Sequence, residues 1–290
     1  MIKRDAHARI TLALDILRKL TSGPYAGYHE LSIVKHQLSL HDTISIREWP
    51  EMKVECDDPT VPCDRTNICH RAADALKRKF GIDKNVNICI EKRIPVMGGM
   101  AGGSTDAAAA LQALMELWNL QLPPSELVEL ARSLGMDVPY FFLGGTAVDS
   151  EATGEISPVL TGVSMVFVLV VPDFGVSTRE AYAGIDYSRV AKDRGKTGDM
   201  LRAFEANDAE KVRAAMHNDF ETSVFGRHPR LREIASELVA AGAVAACMSG
   251  SGSTMVGAAH DMDEAAAIAG FMEKRPSVRR VLTASSFHHR

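Results

Sequence analysis

The sequence predicts an α+β fold in two lobes. Stretches in which apolar and polar residues alternate, as in strands, are mixed with stretches of helical periodicity, without the regular βαβ order of a doubly wound parallel sheet. A length of 290 residues suffices for one large domain or two of ordinary size. The polar stretch DSEATGEISPVLTG, at 149–162, contains Gly and Pro and indicates a boundary. We therefore predict domains at 1–155 and 156–290.

The first domain is predicted to begin with strands. ARITLALDIL, at 8–17, alternates like a strand, and LSIVKHQLSLHDTISIREW, at 31–49, contains strand-like stretches around a polar turn. A helix at 67–80 has Asn67 as N-cap and Gly81 as its stop, and the next strand has Val86, Ile88 and Ile90 on one face. Further helices are predicted at 104–120 and 124–134.

The second domain is predicted to mix the two element types. VSMVFVLVVP, at 163–172, is typical of a buried strand, and a helix starts in STREAYAGI at 177–185. AVAACMSGSGSTMVGAA, at 243–259, predicts a strand, a glycine turn and a second strand, and VRRVLTAS predicts a closing strand. The remaining helices are predicted at 199–205, 208–223, 229–241 and 262–274.

Composition excludes several classes of partner. The net charge of −4 provides no field that favours nucleic acid or an anionic membrane, and the longest apolar run, Met165–Val171, is too short to span a bilayer. The five cysteines are an odd number without a CxxC pair, and the opening MIKRDAHARI contains no secretory apolar segment. We expect reduced thiols, a cytoplasmic location, and no nucleic-acid or membrane partner.

The segment PVMGGMAGGSTDAAAAL, at 95–111, follows a predicted strand and opens a predicted helix. Backbone N–H groups and the positive end of the helix dipole would face an anion there. Ser104 and Thr105 can cap the helix or offer hydroxyls to a phosphate or to Mg²⁺. The structural alternative is a tight turn with helix capping, which needs only one glycine.

Other phosphate-binding loops do not fit this segment. A Walker A loop requires a lysine, and none lies between residues 95 and 111. The Rossmann fingerprint requires two glycines that are two positions apart, and no pair in this segment has that spacing. Residues 173–175 spell DFG, but the other kinase motifs are missing from the sequence.

The segment resembles motif 2 of the GHMP kinases, and among them it is most similar to the 4-diphosphocytidyl-2-C-methyl-D-erythritol kinase family, whose loop runs PxGGGLGGGSSDAAA. Further stretches match that family in order: ARITLALDI, AGYHELSIV, SLGMDVPYFFLGGTA, VSTREAY, HNDFE and ACMSGSGSTMVG. These matches extend from residue 8 to residue 257.

The resemblance implies an N-terminal lobe like domain 2 of ribosomal protein S5 and a ferredoxin-like C-terminal lobe. It also implies ATP-dependent phosphorylation of the 2-hydroxyl of 4-diphosphocytidyl-2-C-methyl-D-erythritol, with Mg²⁺, in non-mevalonate isoprenoid biosynthesis. The expected partner is thus a small molecule carrying a cytidine diphosphate group.

The resemblance assigns a role to each part of the site. Asp137 matches the catalytic aspartate, which accepts the proton of the attacking hydroxyl, and Ser104 or Thr105 is the hydroxyl on the Mg²⁺ side. The residues expected to wrap the ATP phosphates are Pro95, Val96, Met97, Gly98, Gly99, Met100, Ala101, Gly102, Gly103, Ser104 and Thr105.

For the cytidyl substrate, Tyr28 and His29 match the residues that hold the cytosine ring. Tyr182 is a second stacking candidate, with core packing as the alternative. Gly250, Ser251 and Gly252 form a turn that either approaches the substrate diphosphate or is purely structural.

Four positions depart from the family pattern. Arg9 replaces the catalytic lysine, Thr11 replaces a substrate-binding asparagine, and Met97 and Ala101 replace loop glycines. Arg9 either pairs with Asp137 and meets the γ-phosphate, or holds Asp137 in a bidentate pair and slows catalysis. Two alternatives therefore stand beside the first: another GHMP kinase of the homoserine or mevalonate type, and a nucleotide-binding protein of this fold with impaired catalysis.

Overall fold

A computed structural model describes residues 1–22, 26–150, 155–188, 190 and 196–288. Its strands are β1 (Ile2–Lys19), β2 (His29–Trp49), β3 (Lys53–Cys56), β4 (Asn85–Glu91), β5 (Thr146–Ser150), β6 (Glu155–Pro158), β7 (Val166–Pro172), β8 (His217–Asn218), β9 (Ala245–Met248), β10 (Met255–Ala259) and β11 (Val278–Ser285). Its helices are α1 (Ile68–Phe80), α2 (Gly102–Leu117), α3 (Pro124–Leu134), α4 (Tyr140–Leu143), α5 (Thr178–Ala183), α6 (Lys196–Glu205), α7 (Ala209–Ala214), α8 (Glu221–Arg227), α9 (Pro229–Ala240) and α10 (Met262–Met272). None of these helices is both long and apolar enough to cross a membrane.

The chain folds into two compact units, and neither is a single continuous stretch of sequence. Unit 1 comprises Met1–Ala8, Leu40–Val96 and Ala101–Leu143. Unit 2 comprises Arg9–Ser39, Met97–Met100 and Gly144–Arg290. Strands β1 and β2, with 18 and 21 residues, each contribute to both units.

Unit 1 combines a sheet with a group of helices. The end of β2, from Thr43 to Trp49, pairs antiparallel with β4, which pairs parallel with β3. Helix α1 packs against α2 and α3. The side chain of Asn67 accepts a hydrogen bond from the N–H of Cys69 at 2.8 Å, and Gly81 ends the helix with φ of 65°. The predicted start and end of this helix are therefore confirmed.

Unit 2 contains an antiparallel sheet in the order β11-β7-β10-β9. Helix α10 packs on β7 and β11, and α9 packs on β9 and β10. In the same unit, β1 pairs parallel with β8, and the beginning of β2 pairs antiparallel with β5. The buried apolar core of the unit includes Leu14, Val168, Phe220 and Met255. The strand, turn and strand predicted at 243–259 are present as β9 and β10.

The polar turn expected within residues 31–49 is absent, because β2 runs through this stretch without interruption. Asp42, in the middle of the strand, is buried. Its Oδ1 accepts the backbone N–H groups of Arg93 at 2.6 Å and Ile94 at 2.8 Å. These hydrogen bonds satisfy a polar side chain inside a strand, where the sequence pattern predicted a turn.

The prediction of one continuous helix at 208–223 was also wrong. The structure has α7, the short strand β8 and then α8. His217 and Asn218 pair in parallel with Ala13 and Leu14 of β1. Pairing with a distant strand, together with the hydrogen bonds of the Asn218 side chain, therefore overrides the local helical pattern.

Candidate active site

The glycine segment 95–105 leads from β4 into helix α2. Its backbone enters the left-handed region at Met97 (φ 58°), Gly99 (φ 71°) and Ala101 (φ 56°). Met97 and Ala101, which stand where the family has glycine, thus adopt a conformation that side chains disfavour. The helix begins at Gly102 with Ala101 as an N-cap that offers no side-chain hydrogen bond.

Of the two roles open to Ser104 and Thr105, capping of the helix is therefore excluded. Both residues lie inside the first turn of α2, where Thr105 is buried and Ser104 is half-buried. Gly103 is exposed, and its nearest neighbour on the Cβ side, Ile68 Cγ2, lies 3.9 Å from the position a Cβ would take. The first amides of an α-helix lack partners within the helix, so this exposed end can bind an anion.

A buried charge cluster in unit 1 anchors the first turn of α2. The ammonium of Lys92 contacts Asp42 and lies 2.8 Å from Oδ2 of Asp106. Burial, opposed by the charge of Lys92 and assisted by that of Asp42, raises the pKa of Asp106 to about 8. The cluster holds α2 at Asp106, directly after Ser104 and Thr105.

The turn that carries Asp137 lies beside the first turn of α2, within unit 1. Asp137 is half-buried in a turn in which Val138 N–H donates to the carbonyl of Gly135 at 3.1 Å. A Cβ at Gly135 would lie 3.9 Å from Oγ of Ser104. The fold of unit 1 thus places the turn that carries Asp137 next to Ser104, which is 33 positions away in the sequence.

A second group of predicted residues meets in unit 2. Arg9 is 7% exposed, and its Nη1 donates to the carbonyl of Gly99 at 2.9 Å and to Thr11 Oγ1 at 3.4 Å. Ser249 Oγ donates to the same Gly99 carbonyl at 3.0 Å and accepts the N–H of Thr11 at 3.2 Å. Arg9 belongs to unit 2 and Asp137 to unit 1, and their pairing stays a prediction.

Gly99 is required by neighbouring protein backbone. A Cβ there would lie 2.6 Å from the carbonyl oxygen of Ser249 and 2.9 Å from that of Gly252. Such distances are incompatible with any side chain, and φ is positive as well. This glycine therefore serves the contact between the loop and the Gly-Ser-Gly turn at 250–252.

The Gly-Ser-Gly turn at 250–252 is also held by hydrogen bonds from two residues whose roles the sequence did not reveal. Asn218 Nδ2 donates to the carbonyls of Met248 at 2.6 Å and Gly250 at 2.7 Å. Glu221 Oε1 accepts the N–H of Met248 at 2.6 Å, and burial raises the pKa of Glu221 to about 7. Both residues belong to the stretch HNDFE, so its match to the family was the one signal in the sequence that could have pointed to them.

The aromatic residues predicted for a base lie together in unit 2. Tyr28 is 63% exposed, whereas His29 is half-buried, with its ring centroid 4.8 Å from that of Tyr182. Tyr182 also packs edge-on against Phe220 at 4.9 Å, so it faces the core as well as His29. Burial and, to a lesser extent, the charge of Lys19 lower the pKa of His29, which favours the neutral imidazole.

Sequence reasoning missed one aromatic residue of this group. Tyr187 lies side by side with His29, with ring centroids 6.1 Å apart and ring planes 3° apart. The hydroxyl of Tyr187 lies 2.5 Å from Nδ1 of His29. No motif quoted above includes Tyr187, which follows VSTREAY by five positions.

Comparison with known proteins identifies the family. The family model of the GHMP kinases N terminal domain matches residues 67–145, and that of the GHMP kinases C terminal domain matches residues 200–277. A 4-diphosphocytidyl-2-C-methyl-D-erythritol kinase of Gloeobacter violaceus is 38% identical over 283 residues, which cover 96% of this chain and 92% of that protein. The chain belongs to this family of GHMP kinases. The relative of the same name in Alkaliphilus metalliredigens is 36% identical over 88% of this chain and 87% of its own.

Solved structures agree with this family. The crystal structure of a 4-(cytidine 5'-diphospho)-2C-methyl-D-erythritol kinase superimposes with a TM-score of 0.83 and 28% identity, covering 99% of this chain and 100% of that one. A homoserine kinase from Cytophaga hutchinsonii shares the fold, with a TM-score of 0.74 at 16% identity over 97% of this chain and 94% of that one. The predicted GHMP kinase fold is therefore confirmed. The two family models leave residues 146–199 between them, so the domain boundary at 155 and 156 stays a prediction.

Proposed function

We propose that this protein transfers the γ-phosphoryl group of ATP to the 2-hydroxyl of 4-diphosphocytidyl-2-C-methyl-D-erythritol, a step of non-mevalonate isoprenoid biosynthesis. The kinases at 36–38% identity support the reaction. The observation that carries the choice of substrate is the aromatic group in which Tyr182 and Tyr187 flank His29. Aromatic side chains can stack on a nucleobase, and an acceptor of the homoserine or mevalonate type contains no nucleobase.

The phosphates are assigned to the segment 95–105 and the first turn of α2. Phosphoryl transfer is catalysed largely by positioning and by stabilising charge. The exposed backbone at Gly103 and the dipole of α2 provide a preformed site for a polyphosphate. The Ser104 hydroxyl, which lies in this turn, is assigned as a ligand of Mg²⁺. When bound, Mg²⁺ would neutralise part of the phosphate charge.

Asp137 is assigned the role of general base. A carboxylate can accept the proton of the acceptor hydroxyl as the new bond forms. Its turn lies beside Ser104, which supports a place close to the phosphates. Arg9 supplies fixed positive charge, and its bond to the Gly99 carbonyl restricts the orientation of its guanidinium. Thr11 lies next to it and is assigned a contact with the acceptor.

The cytidyl part is assigned to Tyr28, His29 and Tyr182, and the substrate diphosphate to the Gly250–Gly252 turn. The ring of Tyr28 is 63% exposed, and an exposed aromatic ring can stack on a base. A cytoplasmic location fits the five cysteines, all of which are free thiols.

The direct test measures ADP release from ATP and Mg²⁺ with three acceptors: the cytidyl substrate, mevalonate and homoserine. We expect turnover with the cytidyl substrate alone. Turnover with another acceptor instead would contradict the proposal. ATP binding without turnover of any acceptor would indicate a protein with impaired catalysis, and would direct attention to Arg9.

A further inference from the structure

Tyr187 restrains the imidazole of His29 through a hydrogen bond. The two rings are nearly coplanar, and the hydroxyl of Tyr187 lies 2.5 Å from Nδ1 of His29. The other ring nitrogen, Nε2, has no hydrogen-bond partner within the described part of the chain. Nε2 is therefore the atom of this side chain that a ligand can use.

The hydroxyl of Tyr187 selects one form of the imidazole. A neutral imidazole carries one proton, and the hydrogen bond at one nitrogen decides the protonation of the other. A phenol is a better donor than acceptor, so Tyr187 donates to the lone pair of Nδ1. The proton of His29 then resides on Nε2, which becomes a donor.

A donor at this position distinguishes the pyrimidines. Cytosine presents an acceptor at N3, whereas uracil presents an N–H donor there. An N–H at Nε2 can thus bond to N3 of cytosine and is repelled by N3–H of uracil. A mismatch that leaves buried donors facing one another is penalised more strongly than the loss of one contact.

We propose that Tyr187 is a positioning residue that holds the His29 proton on Nε2 and thereby makes the site select cytidine over uridine. This inference rests on the proposed function, since it concerns the base of the same acceptor. Tyr187 acts through His29 and does not need to touch the substrate.

The test compares the natural protein with Tyr187→Phe, which keeps the aromatic ring and removes the hydroxyl. The kcat/KM for the cytidyl acceptor is measured against that for its uridyl analogue. We expect the cytidine preference to fall about five- to tenfold, mainly through a higher KM for the cytidyl acceptor, while the KM for ATP stays unchanged. In ¹⁵N NMR without substrate, the His29 nitrogen shifts should move toward a mixture of tautomers.

Ser188→Ala is the matched control, because it removes a neighbouring hydroxyl that bonds only to Asp186 among the described residues. It should leave both the base preference and the His29 shifts unchanged. An unchanged preference in Tyr187→Phe, unchanged His29 shifts, or an equal rise in the KM for ATP would each overturn the inference. If neither nucleotide acceptor is phosphorylated, the proposed function fails, and the NMR shifts still decide the role of Tyr187.

Discussion

At the scale of single residues, the positions that depart from the family pattern differ in what they do to the backbone. Ala101 adopts φ of 56°, and Met97 adopts φ of 58° with 77% of its surface exposed. Left-handed backbone costs about 1–2 kcal/mol for a residue with a Cβ. Arg9 is different, because its guanidinium is held by the Gly99 carbonyl and Thr11. Met97 and Ala101 therefore carry backbone strain, whereas the side chain of Arg9 is held by hydrogen bonds.

Ala101→Gly should relieve the strain before α2. We expect the free energy of unfolding to rise by about 0.5–1 kcal/mol, since the gain is partly offset by the larger entropy of the unfolded chain. Urea denaturation measures it. Ala107→Gly, inside α2, is the control and should lower the free energy of unfolding by about 1 kcal/mol. A loss of stability in Ala101→Gly would refute the strain argument.

Asp137→Asn should remove the general base without removing the nucleotide site. We expect kcat to fall by about 10²–10⁴-fold, because an amide cannot accept the acceptor proton. Calorimetric titration with a non-hydrolysable ATP analogue should give an unchanged Kd. Asp83→Asn, at an exposed aspartate of the same unit, is the control. Near-normal turnover of Asp137→Asn would show that another group takes the proton.

At the scale of elements, the segment 95–105 contains glycines that serve two different purposes, packing against protein backbone and access for a ligand. The sequence alone does not distinguish the two. Gly99 is enclosed by the carbonyls of Ser249 and Gly252, whereas Gly103 is exposed in the first turn of α2. The first glycine is needed for protein packing, and the second is suited to a ligand. Substitution by alanine separates these two demands.

Gly99→Ala should lower the free energy of unfolding by about 1–3 kcal/mol, because the Cβ overlaps backbone and φ is 71°. Gly103→Ala should leave stability unchanged or raised by up to about 1 kcal/mol, since alanine favours the helix. It should nevertheless raise the KM for ATP, because the methyl group crowds the exposed amides. Thermal unfolding and steady-state kinetics on both variants provide the comparison. Equal behaviour of the two variants would contradict the distinction.

At the scale of the whole molecule, buried ionisable groups make stability depend on pH. The pKa of Glu221 is raised from 4.5 to about 7, chiefly by burial. The charge of Asp219 acts in the same direction, whereas the Met248 N–H and the charges of His217 and Lys196 act against it. The native state therefore retains a proton that the unfolded chain releases between these values. Stability due to this group thus falls as pH rises from about 4.5 to 7.

Glu221→Gln should flatten that dependence. The amide oxygen still accepts the N–H of Met248, but the group no longer titrates. We expect the natural protein to lose about 1–3 kcal/mol of unfolding free energy from this group between pH 5 and pH 7.5, and the variant to lose none of it. Urea denaturation at both pH values tests this, with Glu205→Gln at an exposed site as control. An equal slope in the variant would assign the dependence to other groups.

Local patterns predicted the elements whose stability is local. Asn67 and Gly81 delimit α1 as expected, and Val86, Ile88 and Ile90 form a buried face of β4. Asn87, on the opposite face, is buried as well. Predictions failed where distant partners satisfy polar groups. Asp42 lies within β2 because the amides of Arg93 and Ile94 bind it, and β8 forms because β1 provides a partner.

The sequence by itself determined the fold family, because this depends on motifs and on short-range periodicity. The same motifs predict an anion-binding role for the segment 95–105 and the residue types of the site. Only the tertiary structure showed that Gly99 packs on the Gly-Ser-Gly turn, that Asn218 and Glu221 support that turn, and that Tyr187 restrains His29. These contacts join residues that are 27 to 158 positions apart. No local pattern encodes such distances, since they arise when buried polar groups find partners as the chain packs.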